Sequence, residues 1–266
     1  MSAYANEQSL QSLPPQPPAG LKSDGVAIET EFVHAAHALG LDLTSGHLEQ
    51  FRTYASRLME WNQRVNLTAI TDLRSIFFRH FLDSLTANLA LPPPGSGGAV
   101  SCIDVGTGAG FPGLPLKLLR RDVEMTLLDS VGKKTAFLRD LTPALRLEGV
   151  EILTGRAEDL ARSSAYRERF QFALSRAVAP LPALIEYLLP FCCAGGMAVA
   201  MKKGEVTGEL TAARRACRAL GGAEPSVIPV TGPGLEDGRL LVCVRKVSTT
   251  PDHYPRRPGV PARNPL

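Results

Sequence analysis

Two carboxylates with a run of glycines between them are the side chains best placed to do chemistry. Asp104 ends an apolar run that begins at Val100, and a glycine-rich turn with Gly106, Gly108, Gly110 and Gly113 follows it. A helical segment at 114–119 leads to a second apolar run, which ends in Asp129. Glycine lets the backbone turn sharply and approach a ligand that any Cβ would exclude. Acids at the ends of both runs suit a ligand that carries hydroxyls and a positive charge. Farther on, Glu158 and Arg176 each follow another short apolar run.

Two cofactors compete for this unit. Gly108-Ala-Gly110-Phe-Pro-Gly113 matches G-x-G-x-x-G, the dinucleotide fingerprint. In a dinucleotide site, however, the pyrophosphate sits at the start of the helix, where Asp104 would repel it. The order acid-x-G-x-G-x-G, here Asp104 to Gly110, is instead the pattern of S-adenosylmethionine sites. That cofactor is a sulfonium without phosphate, and it is the preferred reading over a nicotinamide-dependent oxidoreductase.

The elements that must hold these residues follow from periodicity. Residues 1–26 are polar and rich in proline, which predicts a disordered leading segment. Residues 27–98 read as a helical extension. A short helix over 29–39 ends at Gly40, and a stronger one over 47–62 carries Leu48, Phe51, Ala55 and Leu58 on one stripe. A helix around 78–85 places Arg79 four residues before Asp83, close enough to pair along the helix. His80 beside them reads as structural. A Pro/Gly linker at 91–98 then opens the main domain, 99–246. Strands are expected at 100–104, 124–129, 150–154, 172–175, 196–201, 226–230 and 239–244, with helices between most of them. Such alternation implies a mainly parallel sheet covered on both faces. Ligands bind such sheets beyond the strands' C-terminal ends, and Asp104, Asp129, Glu158, Arg176 and Lys202 all map there. Residues 247–266 form a proline- and arginine-rich tail.

Composition bounds the class. The chain has 266 residues, 44% hydrophobic and 21% charged, which suits one α/β domain with additions. No apolar run reaches the roughly 18 residues a membrane helix needs. No basic-then-apolar leader opens the chain, so a cytoplasmic protein with no membrane association is expected. Five cysteines show no zinc spacing, so no metal is expected. Net charge is +3, distributed as −3 over residues 1–98, +4 over 99–246 and +2 over the last 20. The basic excess accompanies the glycine-rich unit and permits a nucleic-acid partner.

Several stretches together resemble one family. They are Trp61-Asn-x-x-x-Asn66-Leu-Thr, Arg79-His80-x-Leu82-Asp83-Ser84, Asp104-Val-Gly-Thr-Gly-Ala-Gly-Phe-Pro-Gly113 and Leu128-Asp129-Ser-x-Gly-Lys133. Ser175-Arg176-Ala177 and the final Tyr254-Pro-Arg-x-x-Gly…Asn264-Pro-Leu266 also fit. They resemble the bacterial small-subunit ribosomal RNA methyltransferase G family, also called glucose-inhibited division protein B, over about residues 30–266. The resemblance implies a class I S-adenosylmethionine-dependent methyltransferase. Its α/β fold would be Rossmann-like, a mainly parallel seven-stranded sheet with an N-terminal helical extension. It implies methyl transfer to N7 of one guanine in 16S ribosomal RNA, free or within a small-subunit assembly, by a monomer. Carried over by position, Gly106 and Phe111 line the methionine and ribose side of the cofactor, with Asp104, Gly108 and Gly110 in the same loop. Asp129 takes the ribose hydroxyls, Ala157 and Glu158 meet the adenine edge, and Arg176 stands beside the transfer site as the catalytic residue.

The residues after the fourth strand speak to the same point independently. Ser175-Arg-Ala-Val-Ala-Pro180 holds neither the Asp/Asn-Pro-Pro-Tyr of amino-group methyltransferases nor a cysteine nucleophile. Guanine N7 is an unprotonated ring nitrogen and needs only in-line placement against the methyl. A non-catalytic ribosome assembly factor is the remaining alternative, disfavoured by the retained glycines and acids. In the tail, Arg256, Arg257 and Arg263 are expected to meet RNA phosphates.

Overall fold

The computed structural model describes residues 22–266. The leading segment at 1–21 lies outside the described residues. Helix α1 (Lys22–Ala38) starts earlier than the sequence pattern suggests, with Asp24 in its first turn complementing the helix dipole. It buries Phe32, Ala35 and Ala36, with Ile28 packed against the same core. Helix α2 (Ser45–Asn62) opens at a reciprocal cap. Thr44 Oγ1 accepts from the His47 amide at 3.2 Å, and His47 Nδ1 accepts from the Thr44 amide at 3.2 Å.

The next helical stretch departs from the expected α-helix. Helix α3 (Leu73–Ser75), capped by Asp72, runs into a π-helical stretch, Ile76–Leu82, and then into α4 (Asp83–Leu85) and a 3₁₀ turn, Thr86–Ala90. A π stretch widens the turn and is frequent at functional sites. Here it points Phe77 and Phe81 into an aromatic cluster with Phe32, Phe51 and Tyr54, all nearly or fully buried. The expected Arg79–Asp83 pair does not form. Asp83 instead faces two arginines from the sheet, Arg176 and Arg239.

From residue 100 strands and helices alternate. They are β1 (Val100–Val105), α5 (Gly113–Leu119), β2 (Val123–Asp129), α6 (Gly132–Ala144), β3 (Val150–Thr154), α7 (Ala157–Leu160) and β4 (Phe170–Arg176). Then follow α8 (Leu181–Leu188), β5 (Cys192–Lys203), α9 (Thr207–Ala219), β6 (Ser226–Val230), β7 (Arg239–Arg245) and α10 (Val260–Arg263). The seven strands lie in the order β3-β2-β1-β4-β5-β7-β6. Pairs within β3-β2-β1-β4-β5 are parallel, and β7 runs antiparallel to both β5 and β6. This is the seven-stranded class I methyltransferase arrangement. Strand β1 is buried along almost its whole length, as a central parallel strand between two layers must be. The order of connection reverses between β1 and β4, the switch point beyond whose C-terminal ends ligands bind in sheets of this kind.

The N-terminal helices share the core of one face of the sheet. One continuous cluster joins Phe32, Tyr54 and Phe77 to Leu127, Leu174, Val199, Leu241 and Cys243. A second cluster, on the other face, is built from α8, α9 and the strands' alternate residues, among them Ile103, Leu128, Ala173 and Val242.

Candidate active site

Asp104, next to last in β1, is completely buried. Its Oδ2 accepts from Thr107 Oγ1 at 2.6 Å and from the Gly113 amide at 2.8 Å. Its Oδ1 is the one buried side-chain oxygen or nitrogen without a partner among the described residues. Burial raises its pKa to about 6, despite the two hydrogen bonds and the Arg176 charge, which favour ionisation. Sequence pattern does not single out Thr107; a threonine three residues after the acid is the available signal.

The glycine loop wraps over this carboxylate. Gly106 has φ 75, and a Cβ there would lie 2.5 Å from Val178 Cγ2. At Gly113 a Cβ would lie 2.9 Å from Asp104 Oδ2, so the helix start could not close on the acid. Gly108 and Gly110 also have positive φ, and Gly108 opens to free space. The Gly108 amide donates to Asp129 Oδ2 at 2.9 Å, and the Val131 amide to Asp129 Oδ1 at 2.9 Å. Asp129 is thus tied to the loop, with Lys134 Nζ at 3.7 Å. Each of its oxygens still has a second lone pair to accept with.

At the end of β3, Ala157 and Glu158 open α7. Glu158 is buried, and its Oε1 accepts from the amide of Gly259, in the tail, at 2.9 Å. Lys202, on β5, is engaged by Glu209 at 2.7 Å and by the Ala179 carbonyl at 3.1 Å. Among the expected tail contacts, Arg256 is not free for phosphate: it forms an ion pair with the fully buried Glu186 at 2.6 Å. Arg257 and Arg263 are exposed.

Arg176 ends β4 inside a constellation that joins three parts of the chain. Its Nη1 donates to Asp83 Oδ2 at 2.7 Å and to the Arg79 carbonyl at 3.1 Å. Its Nη2 lies 3.2 Å from His80 Nδ1, and its guanidinium stands 4.9 Å above the Phe111 ring. Arg239, from β7, holds the other oxygen of Asp83. Phe111 is itself enclosed: His80 stacks on it at 4.4 Å and Tyr54 at 5.3 Å, and Tyr54 donates to the Ala109 carbonyl at 2.5 Å. An arginine can only donate, so His80 Nδ1 accepts, and the proton sits on Nε2 facing Thr68 Oγ1 at 2.9 Å. Burial and the Arg176 charge keep the ring neutral, lowering its pKa to about 4. Ala177, just after, takes φ 55 and turns the chain so that Val178 covers Gly106.

The fold therefore brings Asp104, Gly106, Gly108, Gly110, Phe111, Asp129 and Arg176 into one connected loop system, with Glu158 and Ala157 just beyond the end of β3. Asp83, His80, Thr107 and Arg239 join it unannounced by local pattern. Among the described residues no group of three or more His, Cys, Asp or Glu is arranged to hold a metal ion, and no helix is long and apolar enough to cross a membrane.

The sequence profile described as rRNA small subunit methyltransferase G matches residues 47–235. The chain belongs to this family. A relative named Ribosomal RNA small subunit methyltransferase G, from Dehalococcoides mccartyi, is 47% identical over 236 residues, covering 89% of this chain and 99% of its own. A family member of the same name from a Roseiflexus species is 47% identical over 234 residues, covering 88% and 98%. Another, from an Exiguobacterium species, is 41% identical over 238 residues, covering 90% and 99%. The profile thus spans α2 to β6, from the helical extension through most of the sheet.

Proposed function

We propose that the protein transfers a methyl group from S-adenosylmethionine to N7 of a guanine in 16S ribosomal RNA, working as a cytoplasmic monomer. The observation that carries the choice of N7 is the state of the groups beside Arg176. An acceptor that must lose a proton needs a base within reach. His80, the imidazole at this edge, is committed at both nitrogens, Nδ1 to Arg176 and Nε2 to Thr68. No cysteine stands in the turn after β4 to attack a ring carbon. What remains is a rigid, positively charged edge suited to placing a nucleophile that already has its lone pair.

The residues present fit the cofactor. Asp104 Oδ1, buried and unpartnered, awaits a donor or a positive charge. The open side of Gly108 leaves backbone accessible beside the acid, and Gly106, whose Cβ would strike Val178, lets the loop pass close beneath that residue. When bound, the cofactor supplies an electrophilic methyl on a sulfonium. Gly106, Gly108 and Gly110 shape the loop around its methionine half, with Phe111 supporting that loop from beneath. Asp129 offers its remaining lone pairs to the ribose hydroxyls. Ala157 and Glu158 present backbone and carboxylate to the adenine edge. Arg176 orients the guanine or its phosphate, and is itself held still by Asp83, His80 and Phe111.

N7 of a paired guanine faces the deep major groove of an RNA helix, which side chains cannot enter. The substrate nucleotide is therefore in a loop or swung out of its stack. Mapping N7-methylguanine in 16S ribosomal RNA from cells with and without the gene tests the reading. One site should disappear with the gene and return on complementation. Transfer to RNA carrying 7-deazaguanine, which has carbon at that position, would refute the N7 assignment.

A further inference from the structure

We infer that the C-terminal tail is a wall of the cofactor's adenine pocket, and that Gly259 is the positioning residue that sets Glu158. The inference rests on the assignment of Glu158 to the adenine edge made above. The tail is fastened at successive points. Arg167 donates to the carbonyls of Thr250 at 2.6 Å and Tyr254 at 2.8 Å. Arg162 donates to the carbonyls of His253 at 3.1 Å and Pro255 at 2.5 Å. Arg256 meets Glu186 of α8 through its backbone amide at 2.7 Å and its guanidinium at 2.6 Å. Only then does the chain turn at Gly259, φ 80, and deliver its amide to Glu158 Oε1.

These contacts have a direction. Arg162 and Arg167 lie just after α7, and Glu186 is on α8, so the tail bridges the segments that follow β3 and β4. Its one amide at Gly259 then holds Oε1 of the Glu158 carboxylate, while Oε2 accepts no hydrogen bond among the described residues. A long, flexible acid is thereby ordered before any ligand arrives, and preordering lowers what binding must spend on it. Arginines in this tail are thus divided in use: Arg256 anchors, while Arg257 and Arg263 are exposed on its outer side.

The test uses the full-length protein and S-adenosylhomocysteine as the titrated ligand, with methyl transfer to 16S ribosomal RNA alongside. Gly259→Val cannot hold φ 80 and pulls the amide from Glu158, whereas the Arg256–Glu186 anchor remains. Gly259→Ala, whose Cβ would find nothing nearer than Arg263 Nη2 at 3.6 Å, gives a milder form of the same change should the valine variant fold poorly. Expected are a Kd weaker by roughly 3- to 10-fold, a raised KM for the cofactor and an unchanged kcat at saturating cofactor. In combination with Glu158→Gln, Gly259→Val should add almost nothing, because both act through one carboxylate. Unchanged cofactor affinity in both glycine variants, with Glu158→Gln weakened, overturns the inference. So does a loss confined to the KM for RNA. Unchanged affinity in Glu158→Gln instead removes the adenine assignment itself, and the inference with it.

Discussion

Replacing Asp104 by asparagine should stabilise the cofactor-free protein at neutral pH while impairing cofactor binding. The carboxyl is buried, and its pKa is raised from an ordinary 3.8 to about 6. A group whose folded pKa is raised contributes stability below its unfolded pKa and loses it as pH rises through the folded one. For Asp104 that window runs from about 3.8 to about 6. At 1.36 kcal/mol per pH unit, holding the ionised form at pH 8 costs the fold about 3 kcal/mol. Asparagine keeps an oxygen for Thr107 and the Gly113 amide and carries no charge. Its amide nitrogen replaces the unpartnered Oδ1 at a cost that does not vary with pH. The informative quantity is therefore the difference between variant and wild type, followed from pH 4 to pH 8. Wild type alone is misleading, because His80 titrates the other way. Its pKa is depressed to about 4, so its contribution is lost as pH falls from 6.5 through that value. The assay is thermal unfolding of cofactor-free protein at half-unit pH steps. The difference for Asp104→Asn should swing by roughly 6–12 °C in favour of the variant between the two ends. A flat difference would refute the claim that an ionised, unpartnered carboxylate is what the fold tolerates here.

Other outcomes follow from the same geometry. Asp83→Ala leaves Arg176 and Arg239 facing each other in a largely enclosed site, so stability should fall by roughly 3–5 kcal/mol, read in urea melts. Asp83→Asn, which keeps the shape, should lose less. Arg176→Lys keeps the charge but loses the fork that reaches Asp83, the Arg79 carbonyl and His80. Methyl transfer should drop in kcat at saturating cofactor, while S-adenosylhomocysteine affinity by calorimetry stays within about threefold. Gly110→Ala places a Cβ 2.5 Å from the Tyr54 hydroxyl at φ 98, which should cost roughly 1–3 kcal/mol and lower the melting temperature.

What can be read from the sequence is what is local. An acid, a glycine-rich turn and a second acid within thirty residues form one strand–loop–helix–strand unit, and each residue's position follows from periodicity and glycine chemistry. Arg176 is legible for the same reason, as the residue that follows an apolar run. Its partners are not: Asp83 lies 93 positions earlier, and helical periodicity alone does not distinguish it from a surface acid. The α-helical spacing even suggests Arg79 as the partner, because a π stretch has no signature in residue types. Glu186 looks like an ordinary helix residue, yet it is fully buried by Arg256, 70 positions later. A charged tail reads as a solvated arm until its counter-ions are known, and those are set by tertiary packing alone.

The single core shared by the N-terminal helices and the far side of the sheet has a consequence during synthesis. Phe77 and Phe81 are complete long before β5, β6 and β7 exist, yet the 3₁₀ turn after them packs on those three strands. At about 5–20 residues per second, the buried side of that turn, with Ala87 and Ala90, waits on the order of ten seconds for its cover. During that interval the nascent chain carries an unburied greasy surface beside the ribosome, and the first half cannot finish folding ahead of the second. Truncated chains ending before β7 should accordingly bind a holdase chaperone or aggregate, and a slowed codon stretch just after α4 would lengthen the exposure rather than relieve it.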